Sequence, residues 1–323
     1  MPLVATVLAL VVIVLGAYTR LSDAGLGCPD WPGCYGHIGV PDSQQELSVA
    51  NDAFPDRPVE TGKAWKEMIH RYAAGALGLL ILVIFLQAWK GGPGERGFAT
   101  GLLALVVFQA LLGMWTVTLL VKPLVVSAHL LGGLATLSLL WLLVLQRSGR
   151  LAAVEVTAAQ TKIALLMLLV LIGQILLGGW TSTNYAALAC VGLPKCNGQW
   201  LPAMDFVNGF KPWHGLGIDY EGGILDSSAR VAIHFSHRVG AVITFAVIAG
   251  GVLGFMSSGR ELRLRRCAMI VALLLVIQLS LGLANIWFFL PLPVAVAHNG
   301  VAALLLLSIV TLNYMVLKSV RSQ

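Results

Sequence analysis

EMIHRYAAGALGLLILVIFLQ at residues 67–87 and HFSHRVGAVITFAVIAGGVLG at residues 234–254 each carry a His-Arg pair, His70-Arg71 and His237-Arg238, followed by sixteen residues with no charge. Roughly 20 mostly apolar residues suffice to cross a bilayer as a helix. A second histidine recurs in each half, His129 and His298, and Gln109 and Gln278 precede them by the same twenty residues. Eight apolar stretches of sufficient length are centred near residues 11, 78, 107, 135, 169, 243, 274 and 306. The first, from Leu3 to Ala17, has no basic segment before it and no clear small-x-small cleavage site after it, so it counts as a span rather than a signal peptide.

Composition leads to the same class. With 58% hydrophobic and 11% charged residues, the chain has too little polar surface for a soluble globule of 323 residues. Basic residues mark the inner side. With the first span starting in the cytoplasm, the inner segments hold Lys90, Arg96, Arg147, Arg150, Lys162, Arg260, Arg263, Arg265, Arg266, Lys318 and Arg321 against only Glu95, Glu155 and Glu261. The formal charge of +6 therefore reports topology, and no basic patch interleaved with aromatics points to nucleic acid.

The halves align through Gly16-Ala17-Tyr18-Thr19 and Gly178-Gly179-Trp180-Thr181, which brings Cys28 onto Cys190 and Cys34 onto Cys196. Each pair lies in a long outer loop rich in Gly, Pro, Asn and Asp. In an oxidising compartment such as the periplasm each pair can close a small disulfide ring. Cys267 reads as a small buried apolar residue. Four spans per repeat is an even number, so both halves insert with the same orientation. The expected fold is an all-α integral membrane protein of eight transmembrane helices, built as two parallel four-helix bundles related by a pseudo-twofold axis. Its expected domains are residues 1–150 and 151–323. Gly75, Gly78, Gly132, Gly133, Gly240 and Gly300 sit where helices, or a flat cofactor, would approach a backbone closely.

An imidazole inside a membrane is costly and is retained for function. Two antiparallel helices presenting histidines at one depth can hold a haem iron axially from both sides, with His70 and His129 as one pair and His237 and His298 as the other. Arg71 and Arg238 are then candidates to reach haem propionates. Zinc would want three or four converging ligands and copper softer or additional ones, neither of which the spacing offers. A proton- or metal-carrying transporter remains a different reading of the same histidines. The halves differ three residues before the first histidine, where Glu67 faces His234. Residues i and i+3 share a helix face, so Glu67 falls beside His70, either for proton chemistry or as a carboxylate favoured by the helix N-terminus. His234 competes with His237 as a ligand, and the shared His-Arg motif favours His237. His37 and His214 lie in outer loops and are expected to face solvent, unless either loop folds over a haem edge, and Trp31, Trp200 and Trp213 are expected to be interfacial anchors.

The E-x-x-H-R motif of Glu67 to Arg71, the repeated histidines, the outer-loop stretch GAYTRLSDAGLGCPDWPGC from Gly16 to Cys34, and the eight-span layout resemble the haem A synthase family over nearly the whole chain. The resemblance implies oxidation of the C8 methyl of haem O to the formyl group of haem A for cytochrome oxidase, through two successive hydroxylations. It also implies substrate haem in the N-terminal half, a haem b that passes electrons in the C-terminal half, and Glu67 as catalytic. It places the protein in the bacterial inner membrane with both termini cytoplasmic and the cysteine loops periplasmic. Expected partners are haem O, an electron donor or acceptor, the bilayer and the haem O-making enzyme. A dihaem b-type electron-transfer cytochrome is the alternative.

Overall fold

A computed structural model describes residues 1–149, 156–257 and 261–320. Arg150, Glu155, Arg260 and Arg321, which enter the charge count above, lie outside the described residues, as does the expected domain boundary between residues 150 and 151. The described chain is all-helical, in the order α1 (Pro2–Leu21), α2 (Gln44–Ala53), α3 (Thr61–Ala88), α4 (Pro93–Thr118), α5 (Pro123–Ser148), α6 (Ala158–Thr183), α7 (Phe206–Gly209), α8 (Ser227–Ser257), α9 (Leu262–Trp287) and α10 (Leu292–Val320). Eight of these are long and apolar enough to cross a membrane, and each contains one of the expected span centres. Only α2 and α7, both in the loops that carry the cysteine pairs, are short.

Local chemistry sets the boundaries. Pro93 and Pro123 open α4 and α5, where the missing N–H costs nothing and the fixed φ suits the first turn. Ser43 and Glu46 form a capping box at α2, each side chain taking the other's backbone N–H. Inside the spans the backbone is satisfied within each helix, as hydrocarbon requires. The outward faces stay apolar: Leu79, Leu169 and Leu253 are each about two-thirds exposed, a surface suited to acyl chains rather than water.

The described chain divides into two compact units. The first comprises Met1–Leu137, Ser182–Tyr185 and Lys211–Leu225, with α3 packed on α1 and α4. The second comprises Ser138–Thr181, Ala186–Phe210 and Asp226–Gln323, with α9 packed on α8 and α10. In the second unit, the Asn313 amide donates to Ala164 O and Ile309 O, both at 2.9 Å, and Trp141 Nε1 donates to Thr311. Cys267 is a free buried thiol whose Sγ lies 3.5 Å from Ser308 O, in agreement with its reading as a small core residue.

The duplication extends to backbone conformation. Left-handed residues recur at Asp23 and Tyr185, at Tyr35 and Asn197, and at the pairs Leu120-Val121 and Phe289-Leu290 that turn the chain into α5 and α10. These are non-glycine positions, at which such a conformation is uncommon. Isolated bridges also match, Cys34 to His37 and Cys196 to Gln199.

Candidate functional site

Both cysteine pairs are closed as disulfides, Cys28–Cys34 and Cys190–Cys196, each with its Cα atoms 4.8 Å apart. The first is buried in a small core of its own with Tyr35, Val40, Ala50, Ala64 and Met68, where Tyr35 meets Phe54 edge-on at 5.4 Å. This core fixes the outer loop against α2 and the start of α3. The second disulfide packs on Val231 of α8.

A polar clamp below each disulfide ties loop to helix. In the first unit Glu67, 4% exposed, accepts the Cys28 backbone N–H at 2.9 Å and the Arg71 guanidinium at 2.5 Å. Arg71 donates in turn to the carbonyls of Asp30, Pro32 and Gly33. In the second unit His234 stands in for Glu67: its Nδ1 accepts the Cys190 N–H at 3.2 Å, and Arg238 Nε lies 3.4 Å from its Nε2. Arg238 donates to the carbonyls of Gly192, Lys195 and Cys190. Both guanidiniums, expected from sequence to reach cofactor carboxylates, are thus engaged by loop carbonyls. A charged group holding several carbonyls at once is a strong tie, because charge-assisted bonds are about twice as strong as neutral ones.

One helical turn into each bundle lie the histidines, and each ring packs over a glycine of a neighbouring helix. A methyl group added to Gly16 would stand 2.9 Å from His70 Cε1, and one on Gly178 3.2 Å from His237 Cε1. Gly113 and Gly282 have the same relation to His129 and His298, at 3.4 and 3.3 Å. Gly113 and Gly282 were not singled out in the sequence, although each precedes its histidine by sixteen residues. Of the glycines that were, a methyl group added to Gly75, Gly78 or Gly133 would meet no neighbouring helix within 4 Å, while one on Gly132 would run into Gln109 and one on Gly240 into Gln174.

The imidazoles of His70 and His129 lie close enough for the charge on one to act on the other, as do those of His237 and His298. Nδ1 of His70 and of His129 is buried without a well-formed hydrogen bond, with the backbone of Val12 and Gln109 nearby. In the second unit the Gln174 amide lies 3.0 Å from His237 Nδ1, and the Gln278 amide 3.2 Å from His298 Nε2. Gln109, 8% exposed, has neither end of its amide paired. Among the described residues no three His, Cys, Asp or Glu side chains converge on a metal-sized point. Paired imidazoles, clearance behind each ring and buried polar atoms left unpaired fit a flat, doubly coordinated group between facing helices better than a compact metal cage.

His214, expected in solvent, is half-buried with Nε2 enclosed, and Trp213 stands over the Lys122 ammonium. Segment 211–225, which carries both residues, packs within the first unit.

Fold and site together define a multi-pass helical membrane protein with two histidine-paired halves. The chain belongs to the COX15-CtaA family, cytochrome oxidase assembly proteins, whose family model matches residues 1–310. It is 49% identical to the "Heme A synthase" of Shewanella oneidensis over 95% of this chain and 93% of that one. Similar proteins of the same name occur in Methylobacterium radiotolerans, 27% identical over 96% of this chain and 87% of the relative, and in Bacillus licheniformis, 25% identical over 92% and 88%.

Proposed function

We propose that this protein is a haem A synthase, oxidising the C8 methyl of haem O to a formyl group through a hydroxymethyl stage, to supply haem A to cytochrome oxidase. The observation that carries the reading is the duplicated pair of glycine-backed imidazoles, of which only the first has a carboxylate, Glu67, one helical turn away. His70 and His129 hold the substrate haem in residues 1–150, and His237 and His298 hold haem b in residues 151–323, the halves being parallel repeats. His237 rather than His234 is the ligand, because both nitrogens of His234 are occupied by Cys190 and Arg238, whereas Gln174 at Nδ1 of His237 leaves Nε2 free. A hydrogen bond at one ring nitrogen is the usual way a ligating histidine is oriented.

When bound, haem supplies the iron and the redox capacity, and the protein positions it and moves protons. Methyl-to-formyl conversion is a four-electron oxidation, and it needs a proton acceptor near the reacting edge. Glu67 is that acceptor: buried, within one turn of His70, and held by the Cys28 backbone N–H and the Arg71 guanidinium. Arg71 and Arg238 serve the haems indirectly, by clamping the disulfide loops over the histidine pairs. The excess of basic residues on the inner segments and the closed disulfides support an inner-membrane location with periplasmic cysteine loops and cytoplasmic termini. The oxidation also calls for an electron partner, and delivery of haem O favours contact with the enzyme that makes it.

The test is mass-resolved chromatography of haems extracted from protein purified from cells that make haem O. Haem b together with haem O, hydroxymethyl haem or haem A is the expected result, and haem b alone would replace the synthase with an electron-transfer cytochrome. A second prediction comes from the glycines. Gly16→Val would push the His70 ring from its seat and empty the first site, leaving haem b in place, whereas Gly178→Val would do the reverse. The branched side chain meets a packed ring, and overpacking of this kind costs ~1–3 kcal/mol, or roughly a tenfold or larger loss of occupancy. Haem-to-protein ratios by absorbance would check it.

A further inference from the structure

The turn between α4 and α5 carries Lys122, a lysine only 2% exposed at the N-terminus of the helix that bears His129. Its ammonium donates to Gly215 O at 2.6 Å and lies under the Trp213 ring, but no carboxylate among the described residues is within salt-bridge distance. Such a charge is doubly unfavourable, since covered cations are normally paired and the positive end of a helix dipole repels them. Burial lowers its pKa accordingly. Beside it stands His214, whose Nε2 is buried with no hydrogen-bond partner. Burial, with Lys211 and Lys122 nearby, holds His214 below the usual histidine range, so at neutral pH the ring is uncharged with one N–H to donate. The strap that brings Trp213, His214 and Gly215 to this place is anchored in the first unit by Tyr220 N–H donating to Leu120 O and by Arg57 paired with Asp219 and Glu221. The equivalent turn of the second half has Pro291 where Lys122 stands, so the feature belongs to the first site alone.

We infer that Lys122 and His214 form the seat for a propionate carboxylate of the porphyrin held between His70 and His129, with the 211–225 strap closing over it. Lys122 precedes His129 by seven residues, two helical turns, which puts both on one side of α5 about 10 Å apart along its axis. That is about the span from a porphyrin's centre to the end of its propionate arm. An arriving carboxylate gives the ammonium its missing counter-ion and accepts from the orphaned imidazole. The strap then makes the first site selective for porphyrins with a free acid at that edge. The inference rests on the histidine-pair reading, and its test separates the two.

Full-length protein carrying His237→Ala and His298→Ala, to leave the first site alone, would be titrated in detergent with ferric protoporphyrin IX and with its dimethyl ester, following the Soret band. The expected result is that the free acid binds about ten- to a hundredfold tighter than the ester, the range for a hydrogen bond to a charged group. Adding Lys122→Met would abolish that difference, and Lys122→Arg would preserve it. Equal affinity of acid and ester for the protein with Lys122 intact overturns the inference without depending on how a Lys122 variant folds. A preference that survives Lys122→Met overturns it too, and leaves the ammonium to an anionic lipid headgroup. A Soret band lacking histidine ligation for both porphyrins brings down the histidine-pair reading and the inference together.

Discussion

Glu67→Gln is expected to leave the protein loaded with haem while haem A output falls about a hundredfold or more, the usual contribution of a positioned acid or base. The substitution is nearly isosteric, and the amide oxygen can still accept from the Cys28 N–H that Glu67 Oε2 holds at 2.9 Å. Arg71 loses one ion pair but keeps the carbonyls of Asp30, Pro32 and Gly33, so the disulfide loop remains tied to α3. What disappears is a carboxylate able to take up and release a proton beside the His70 site. A purely structural Glu67 predicts something else, namely haem and folded protein lost in step. Glu67→His sharpens the contrast, because it copies the second unit, where His234 already performs the clamp through Cys190. A loop that stays closed with a histidine there, while oxidation stops, assigns the chemistry to the carboxylate and the scaffolding to the clamp. Extracted haems and the residual haem b absorbance measure both, and wild-type haem A output from Glu67→Gln would refute the assignment.

The parts of this molecule legible in the sequence are those that depend on local pattern. Bilayer-length apolar runs gave the eight helices, because in hydrocarbon a helix must satisfy its own backbone. The repeated five-residue gap between cysteines gave both disulfides, since so short a loop leaves each thiol few other partners. Features that depend on how distant segments meet were not legible. Nothing in the composition of residues 211–225 says that they pack within the first unit, and this is why Trp213 read as a membrane anchor and His214 as solvent-facing. Arg71 was read from sequence as a group that could reach a haem propionate, but the carbonyls that claim its guanidinium lie about forty residues away. Gly113 and Gly282 are an intermediate case. Their recurrence sixteen residues before His129 and His298 was readable, but glycine is common in membrane helices, and only the contact with each ring gives it meaning.

On the proposed function, the duplication would let one chain hold two similar haems for different purposes. Both units keep the same scaffold of imidazole over glycine and arginine on loop carbonyls. Two of the differences between them lie close to the histidine pairs in sequence, Glu67 against His234 and Lys122 against Pro291. Both exchanges change the chemistry beside the histidine pair, from a carboxylate to an imidazole and from an ammonium to a proline.

Independent sites lead to the last prediction. His237→Ala or His298→Ala should remove haem b and leave the first site able to bind porphyrin, while His70→Ala or His129→Ala should keep haem b and abolish haem A. Each deletion leaves one imidazole facing a gap above the glycine that backed the lost ring. Loss of one of two axial ligands should lower occupancy at the altered site at least tenfold and convert any remaining haem from two-histidine to one-histidine ligation, visible in the Soret and α bands. Haem A output should fall in all four variants, but for different reasons: no bound substrate in the first pair, no electron path in the second. Supplying an artificial electron carrier, in oxidised form in one assay and reduced form in another, separates these. It should restore some oxidation to His237→Ala and none to His70→Ala. Recovery in His70→Ala would mean that oxidation takes place elsewhere in the protein, and would exchange the roles given to the two halves.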